Sequence, residues 1–188
     1  FTLKIINVQS LEEAMNEVKN AKTVAANKYI ADNKLNVTTT ASGLKYIITQ
    51  PSIKRKPLTG DTLLVNYTGR TLDGKVFDSS IKEKAEKAGL NQPGRNYEPL
   101  QVIVVTTPII KGWDEGLLLL NEGAKAEFII PSSLGYGSDG SGEIPPYSTM
   151  VFNIELVKIK PIKRTMAAPK PAVKKTAVHH HTTAKKKS

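Results

Sequence analysis

Between Val65 and Ser80 the chain reads Val-Asn-Tyr-Thr-Gly-Arg-Thr-Leu-Asp-Gly-Lys-Val-Phe-Asp-Ser-Ser, gathering a phenol, a phenyl ring and a carboxylate around one Asp-Gly pair. Asp-Gly flanked by strand residues predicts a two-residue type I′ hairpin, because that turn needs positive φ at both central positions. Counting outward from it, Gly69 faces Asp78 and Tyr67 faces Ser80. Tyr67 and Asp78 therefore share one face of the sheet, where phenol and carboxylate can meet. The same parity sends Phe77 to the opposite face, and it joins the pair only if a bulge or bend follows the turn. The chain has no cysteine, which excludes disulfides, thiol catalysis and Cys-ligated zinc.

The elements that must hold these groups are legible from periodicity. Leu44, Tyr46 and Ile48 alternate after a Ser-Gly, and Thr62 to Tyr67 leads into the Asp-Gly turn. Val102 to Val105, Ala126 to Ile130 and Met150 to Ile159 supply further β-branched runs. One short helix over 112–121 interrupts them, with Asp114 and Glu115 in its first turn, where the helix dipole favours acids, and Trp113, Leu117 and Leu120 on one face. Such an alternation predicts an α+β fold, an antiparallel sheet wrapped on a single short helix.

Upstream, Ser10 and Glu13 have the spacing of a capping box. Leu11, Ala14, Val18, Ala21, Val24, Ala25 and Tyr29 recur at helical intervals, predicting an amphipathic helix over 10–33 for docking or spacing. Phe1 to Val8 alternates like a strand and resembles Phe152 to Ile159, so residues 1–9 are read as the end of a preceding, similar domain.

The formal net charge of +10 is unevenly placed. Ten of the 27 Lys and Arg residues, and none of the 17 Asp and Glu, fall in residues 156–188. The body is neutral, and residues 161–188 are predicted to form a disordered basic tail, since little there can offset ordering entropy by burial. A solvated tether and a polyanion contact are both open for it; salt-dependent binding lost on removing 161–188 would mark the latter. His179-His180-His181 is a weak, unselective metal motif. No run of about 18 apolar residues predicts a membrane span.

The Val65–Ser80 stretch, followed in order by Pro108-Ile-Ile-Lys-Gly-Trp-Asp-Glu-Gly116, Gly135-Tyr-Gly137 and Ile144-Pro-Pro-Tyr-Ser-Thr-Met-Val-Phe152, resembles the FKBP-type peptidyl-prolyl cis-trans isomerases. The resemblance extends over residues 44–160 and implies the FKBP-like bent sheet around the 112–121 helix, within a domain at 43–160 preceded by a helical extension and linker at 10–42. It implies an aromatic pocket of Tyr67, Phe77, Trp113, Tyr136 and Phe152 with Trp113 as its floor and Asp78 as its carboxylate. Ile109 and Ile110 become the aliphatic wall, the Ile110 N–H a donor to the ligand, and Leu100, Val102 and Ile144 further substrate-binding positions.

The implied activity is rotation about X–Pro bonds in folding polypeptides, without cofactor or metal, with a macrolide of the FKBP class as a further ligand. The helical extension resembles cell-envelope members, which favours the envelope or periplasm over the cytoplasm. A proline-binding chaperone or scaffold without turnover is the competing reading. Leu100 stands where the family usually has an aromatic, Val105 where a glycine is common, and the Tyr136–Ile144 loop is shorter than in familiar members, with Glu143 at its rim. An inserted segment, Ile81 to Pro99, carries a helix-like Lys/Glu/Ala run and then Asn-Gln-Pro-Gly-Arg.

Overall fold

The structure, a computed structural model, describes residues 10–90 and 92–162. The strand-like segment Phe1–Val8, the His179–His181 run and the basic residues from 163 onward lie outside the described residues.

Helix α1 (Leu11–Asp32) begins with the expected capping box: the Ser10 hydroxyl accepts from the Glu13 N–H at 3.2 Å, and the Ser10 N–H donates to the Glu13 carboxylate at 2.8 Å. Its apolar stripe is not covered. Ala26 is buried, whereas Leu11, Val18 and Val24 stay exposed. Near its C-terminal end the Tyr29 ring lies 5.7 Å from the Arg70 guanidinium of the body.

Seven strands form one antiparallel sheet among the described residues: β1 (Thr38–Thr39), β2 (Lys45–Gln50), β3 (Thr62–Thr71), β4 (Val76–Ser79), β5 (Leu100–Ile103), β6 (Lys125–Ile130) and β7 (Met150–Lys160). The order is β1-β2-β6-β7-β3-β4, with β5 also on β3. Since β7 pairs with β3 along its whole length, β4 and β5 share the other edge of β3, at Thr68–Arg70 and Thr62–Val65. They act as one strand interrupted by the inserted segment, which contains helix α2 (Lys82–Lys87).

The β3–β4 hairpin departs from the expected turn. The Gly74 N–H donates to the Thr71 carbonyl and the Thr71 N–H to the Lys75 carbonyl, so three residues form the loop. Only Gly74 takes positive φ, at 90°. Asp73 stays at negative φ because its carboxylate accepts from the Thr71 hydroxyl and the Lys75 N–H, a local bond that competes with the left-handed turn. The register then slips back by one between Arg70↔Val76 and Gly69↔Asp78, leaving Phe77 as the extra residue of a bulge. A longer turn and a bulge cancel, and the expected facing of Gly69 and Asp78 is kept.

Helix α3 (Lys111–Leu119) packs against this sheet, burying Gly112, Trp113, Gly116 and Leu117. Leu63, Val65, Leu117, Phe128, Ile130, Met150 and Leu156 are among the side chains that fill the core between them. Ahead of α3, β5 ends in a turn in which Val105 takes φ +64° with its side chain 60% exposed. The left-handed region costs an L-residue about 1–2 kcal/mol, and a β-branched residue there is an outlier.

Asp61 fastens the start of β3 to the rest. Its carboxylate is buried and accepts from the Leu58 N–H at 2.9 Å, the Ile162 N–H at 3.2 Å and the Arg55 guanidinium, while its carbonyl accepts from the Val104 N–H. Burial alone raises the carboxyl pKa, but the two amide bonds and Arg55 outweigh it and hold it below the ordinary Asp value. A depressed folded pKa contributes stability that is present above about pH 4 and is lost as pH falls through the folded pKa. Asp61→Asn is expected to cost about 1–3 kcal/mol at neutral pH and to flatten the acid limb of stability, measured by urea unfolding at pH 7 and below 4; an unchanged acid limb would count against the ionised carboxylate.

Candidate active site

The bulge at Phe77 and the first turn of α3 bring four rings together. Trp113 meets Tyr67 edge to face at 5.1 Å and Phe152 at 5.4 Å, and Phe152 meets Phe77 at 5.6 Å. Gly69 makes the last contact possible: a Cβ there would lie 2.6 Å from Phe77 and 2.7 Å from Phe152. These rings enclose one side of a cavity of about 180 Å³, with Asp78, Leu100, Pro108, Ile109, Ile110 and Tyr136 as its other walls.

Of the residues singled out from sequence, Tyr67, Phe77, Asp78, Leu100, Ile109, Ile110, Trp113, Tyr136 and Phe152 all reach this cavity. Val102 and Ile144 do not. Val102 lies one pleat further along β5, opposite Leu63, and is fully buried in the core. Ile144 is turned into the core by a two-way backbone pairing with Ser141.

Both oxygens of Asp78 are engaged. One accepts from the Tyr67 hydroxyl at 2.5 Å; the other accepts from the Arg95 guanidinium at 2.5 Å and the Ser79 N–H at 2.9 Å. Arg95 also donates to the Tyr67 oxygen at 3.2 Å and lies 5.5 Å from the Tyr97 ring. The carboxylate charge is thereby compensated at the wall of an otherwise apolar cavity. Burial of the phenol, reinforced by the adjacent Asp78, pushes the Tyr67 pKa up to about 12, so it remains a donor throughout the physiological range.

Buried Ser79 and Ser80 close β4 behind Asp78. Ser79 Oγ donates to the Tyr67 carbonyl, and Ser80 Oγ accepts from the Tyr67 N–H, both at 2.9 Å. Two further donors sit at the cavity. The Ile110 N–H, at the N-cap of α3, has no acceptor among the described residues, and the Tyr136 side chain is 39% exposed. The Trp113 indole N–H is buried without a hydrogen-bond partner. No cluster of His, Cys, Asp or Glu among the described residues could hold a metal ion, and no helix among them is long and apolar enough to cross a membrane.

Gly69, Arg95, Pro108 and the Ser79–Ser80 pair belong to the site but were not singled out as site residues. The signal for Gly69 is its place opposite Asp78. Arg95 lies 17 residues beyond its partner, and only folding of the inserted segment brings it back.

Residues 53–157 match the family profile of the FKBP-type peptidyl-prolyl cis-trans isomerases. The chain belongs to that family. It is 36% identical over 174 residues to the probable FKBP-type isomerase FkpA of Neisseria meningitidis serogroup B, across 84% of this chain and 58% of that protein's length. An FK506-binding protein of Neisseria meningitidis serogroup C is 37% identical over 111 residues, 58% of this chain and 90% of that protein. The crystal structure of FkpA from Escherichia coli superposes with a TM-score of 0.62 at 32% identity, over 80% of this chain and 64% of that one. This chain thus spans less than two thirds of the FkpA relatives. The residues that line the cavity, Tyr67 to Phe152, all lie within the part that matches.

Gly69→Ala is expected to displace Phe77 and Phe152, costing about 1–3 kcal/mol of stability by overpacking and loosening the ring contacts. Calorimetric unfolding reports the first and near-UV circular dichroism of the ring cluster the second, and an unchanged aromatic signal would show that ring placement does not depend on this glycine. With Tyr67 pushed up to about 12, the tyrosinate absorbance that Tyr67→Phe removes from a spectrophotometric titration should belong to a group ionising well above the ordinary Tyr value of about 10; a loss at the ordinary value would show that the phenol ionises freely.

Proposed function

We propose that the protein accelerates cis-trans rotation about X–Pro bonds in unfolded or folding polypeptides, and so assists protein folding. The observation that carries this reading is the small cavity walled by Tyr67, Phe77, Trp113 and Phe152, with the Ile110 N–H and the Tyr136 hydroxyl at hand to bind carbonyls. At about 180 Å³ it suits a prolyl ring, and it falls below the roughly 300–1,000 Å³ of clefts that engulf drug-sized ligands. A macrolide would insert one ring and leave the remainder outside.

Rotation about the amide faces a barrier of about 18–20 kcal/mol because conjugation must be lost. In the twisted transition state the nitrogen is pyramidal and the carbonyl no longer shares its electrons, so the group is less polar than the planar ground state. A dry aromatic pocket binds that form better than water does, and this difference is catalysis. Tyr67, Phe77, Trp113 and Phe152 hold the ring, Leu100 and Ile109 flank it, and the Ile110 N–H fixes a neighbouring carbonyl. Asp78 positions Tyr67, while Arg95 cancels its charge and keeps the pocket apolar. No covalent intermediate or proton transfer is required.

Binding without turnover is the second reading, favoured by Leu100, an exposed aliphatic residue at the cavity wall. Contact with polyanions through the basic tail, residues 161–188, is a separate proposal, supported by charge alone. Trp113→Ala and Phe77→Ala are expected to lower kcat/KM for an X–Pro tetrapeptide by tenfold or more, about 1.4 kcal/mol or above of transition-state stabilisation. Full activity in folded forms of both variants would refute the pocket; an inactive parent that still slows aggregation of an unfolded client would select the binding module.

A further inference from the structure

At the end of the sheet where β3 begins and β7 closes, the chain holds an apolar side chain out in the open. Ile53 is 103% exposed, so its own fold covers none of it. Its backbone is nevertheless fixed on both sides. The Ser52 hydroxyl donates to the Glu122 carbonyl at 2.6 Å, the Asn121 side-chain amide donates to the Lys54 carbonyl, and the Glu122 N–H donates to the Arg55 carbonyl at 3.0 Å. A single exposed aliphatic residue is ordinary on a protein surface. Here it has company: Leu58 and Ile162 are about half exposed, and the Ile162 side chain reaches over Gly60, two residues beyond Leu58.

These apolar groups stand among cations. Lys54, Arg55 and Lys56 follow Ile53 directly, and Lys158 and Lys160 come from the end of β7. The carboxylates in their midst are engaged by the backbone. Glu122 accepts from the Ile159 N–H at 2.9 Å, and buried Asp61 accepts from the Leu58 and Ile162 N–H groups. Lys54 and Arg55 pair with these two acids, and Lys158 acts on Glu122 from further away. Five cations thus surround two anions, and the neighbouring Lys125–Glu155 pair is neutral. Ile53 projects from this cationic surface instead of lining a cleft, an arrangement that suits a medium able to close around it. An anionic bilayer offers both parts, phosphates for the lysines and an acyl boundary for the isoleucine.

We propose that this end of the protein, Ile53 to Leu58 with Lys158, Lys160 and Ile162, seats on an anionic lipid surface, with Ile53 inserted at the acyl boundary and the lysines against lipid phosphates. Helix α3 keeps the cavity clear of that surface. Ile110 and Trp113 at its start line the cavity, whereas Asn121 and Glu122, just past its end, hold the Ile53 segment. The inference does not rest on the activity of the cavity.

The test sediments the full chain with vesicles of phosphatidylcholine, alone or mixed with phosphatidylglycerol, at low and high salt. Binding to the mixed vesicles only, with release by salt, is expected. Ile53→Trp adds an indole at the tip to a chain whose single Trp113 is buried; its emission should shift to the blue on mixed vesicles and be quenched by brominated acyl chains. Ile53→Ser is expected to bind these vesicles about threefold to tenfold more weakly, and Lys56→Glu about tenfold more weakly. Both should keep the parent's melting temperature and tetrapeptide turnover, since both positions are exposed and lie outside the cavity. Residues 161–188 are intact in every variant. Parent-like binding by Ile53→Ser, or an indole at 53 that stays in water, would therefore overturn the proposal and leave lipid contact to the tail. A parent that ignores the mixed vesicles at low salt, or binds the neutral ones equally well, would overturn it too.

Discussion

The close approach of α3 to the sheet is the constraint on which the site depends. Gly112 and Gly116, one helical turn apart, leave bare backbone toward β6, and a Cβ on either would stand 2.6 Å from Ile130 or 2.5 Å from Phe128. With no side chain between helix and sheet at these points, the residue that follows Gly112 is pressed into the core. That residue is Trp113. Its indole consequently meets rings from β3 and β7 edge to face, and the cavity floor is set by how near a helix backbone comes to Phe128 and Ile130 rather than by any polar contact of its own.

The opposite wall is fixed by hydrogen bonds. Asp78 stands at the end of β4, where Ser79 and Ser80 satisfy the Tyr67 peptide groups and turn the chain outward into the inserted segment. That segment returns Arg95 to the same carboxylate. An ionised group beside an aromatic cavity would ordinarily attract water, and pairing it with a guanidinium, an amide N–H and a phenol removes that tendency. The insertion, which looks from sequence like a departure from the family pattern, thus supplies the cation that pairs with Asp78 at the cavity wall.

One wall is braced apolar packing, the other a compensated charge, and the loop at 103–108 joins them while carrying backbone strain at Val105. A site that works by shape and low polarity needs its walls held rigidly more than it needs a reactive group. The described geometry meets that need with glycines at close approaches, a bulge at Phe77 and a network closed on Asp78.

The sequence by itself determined the strand and helix order, the α1 capping box, the α3 face carrying Trp113 and Leu117, and the Gly69–Asp78 facing, because these follow from local periodicity and from short-range hydrogen bonds. It also carried most of the cavity, since the motifs of a family keep their order along the chain. It did not reveal the three-residue turn, in which the Asp73 side chain overrides the Asp-Gly preference, or that the stripe of α1 would stay uncovered. Val102 and Ile144, which the resemblance implies as substrate-binding positions, are buried in the core and do not line this cavity, because the order of motifs along a chain does not say how deep the cavity ends. Arg95 joining Asp78 and Tyr67 was decided only by tertiary structure, where the packing of distant segments sets which groups meet and which local preferences are overruled.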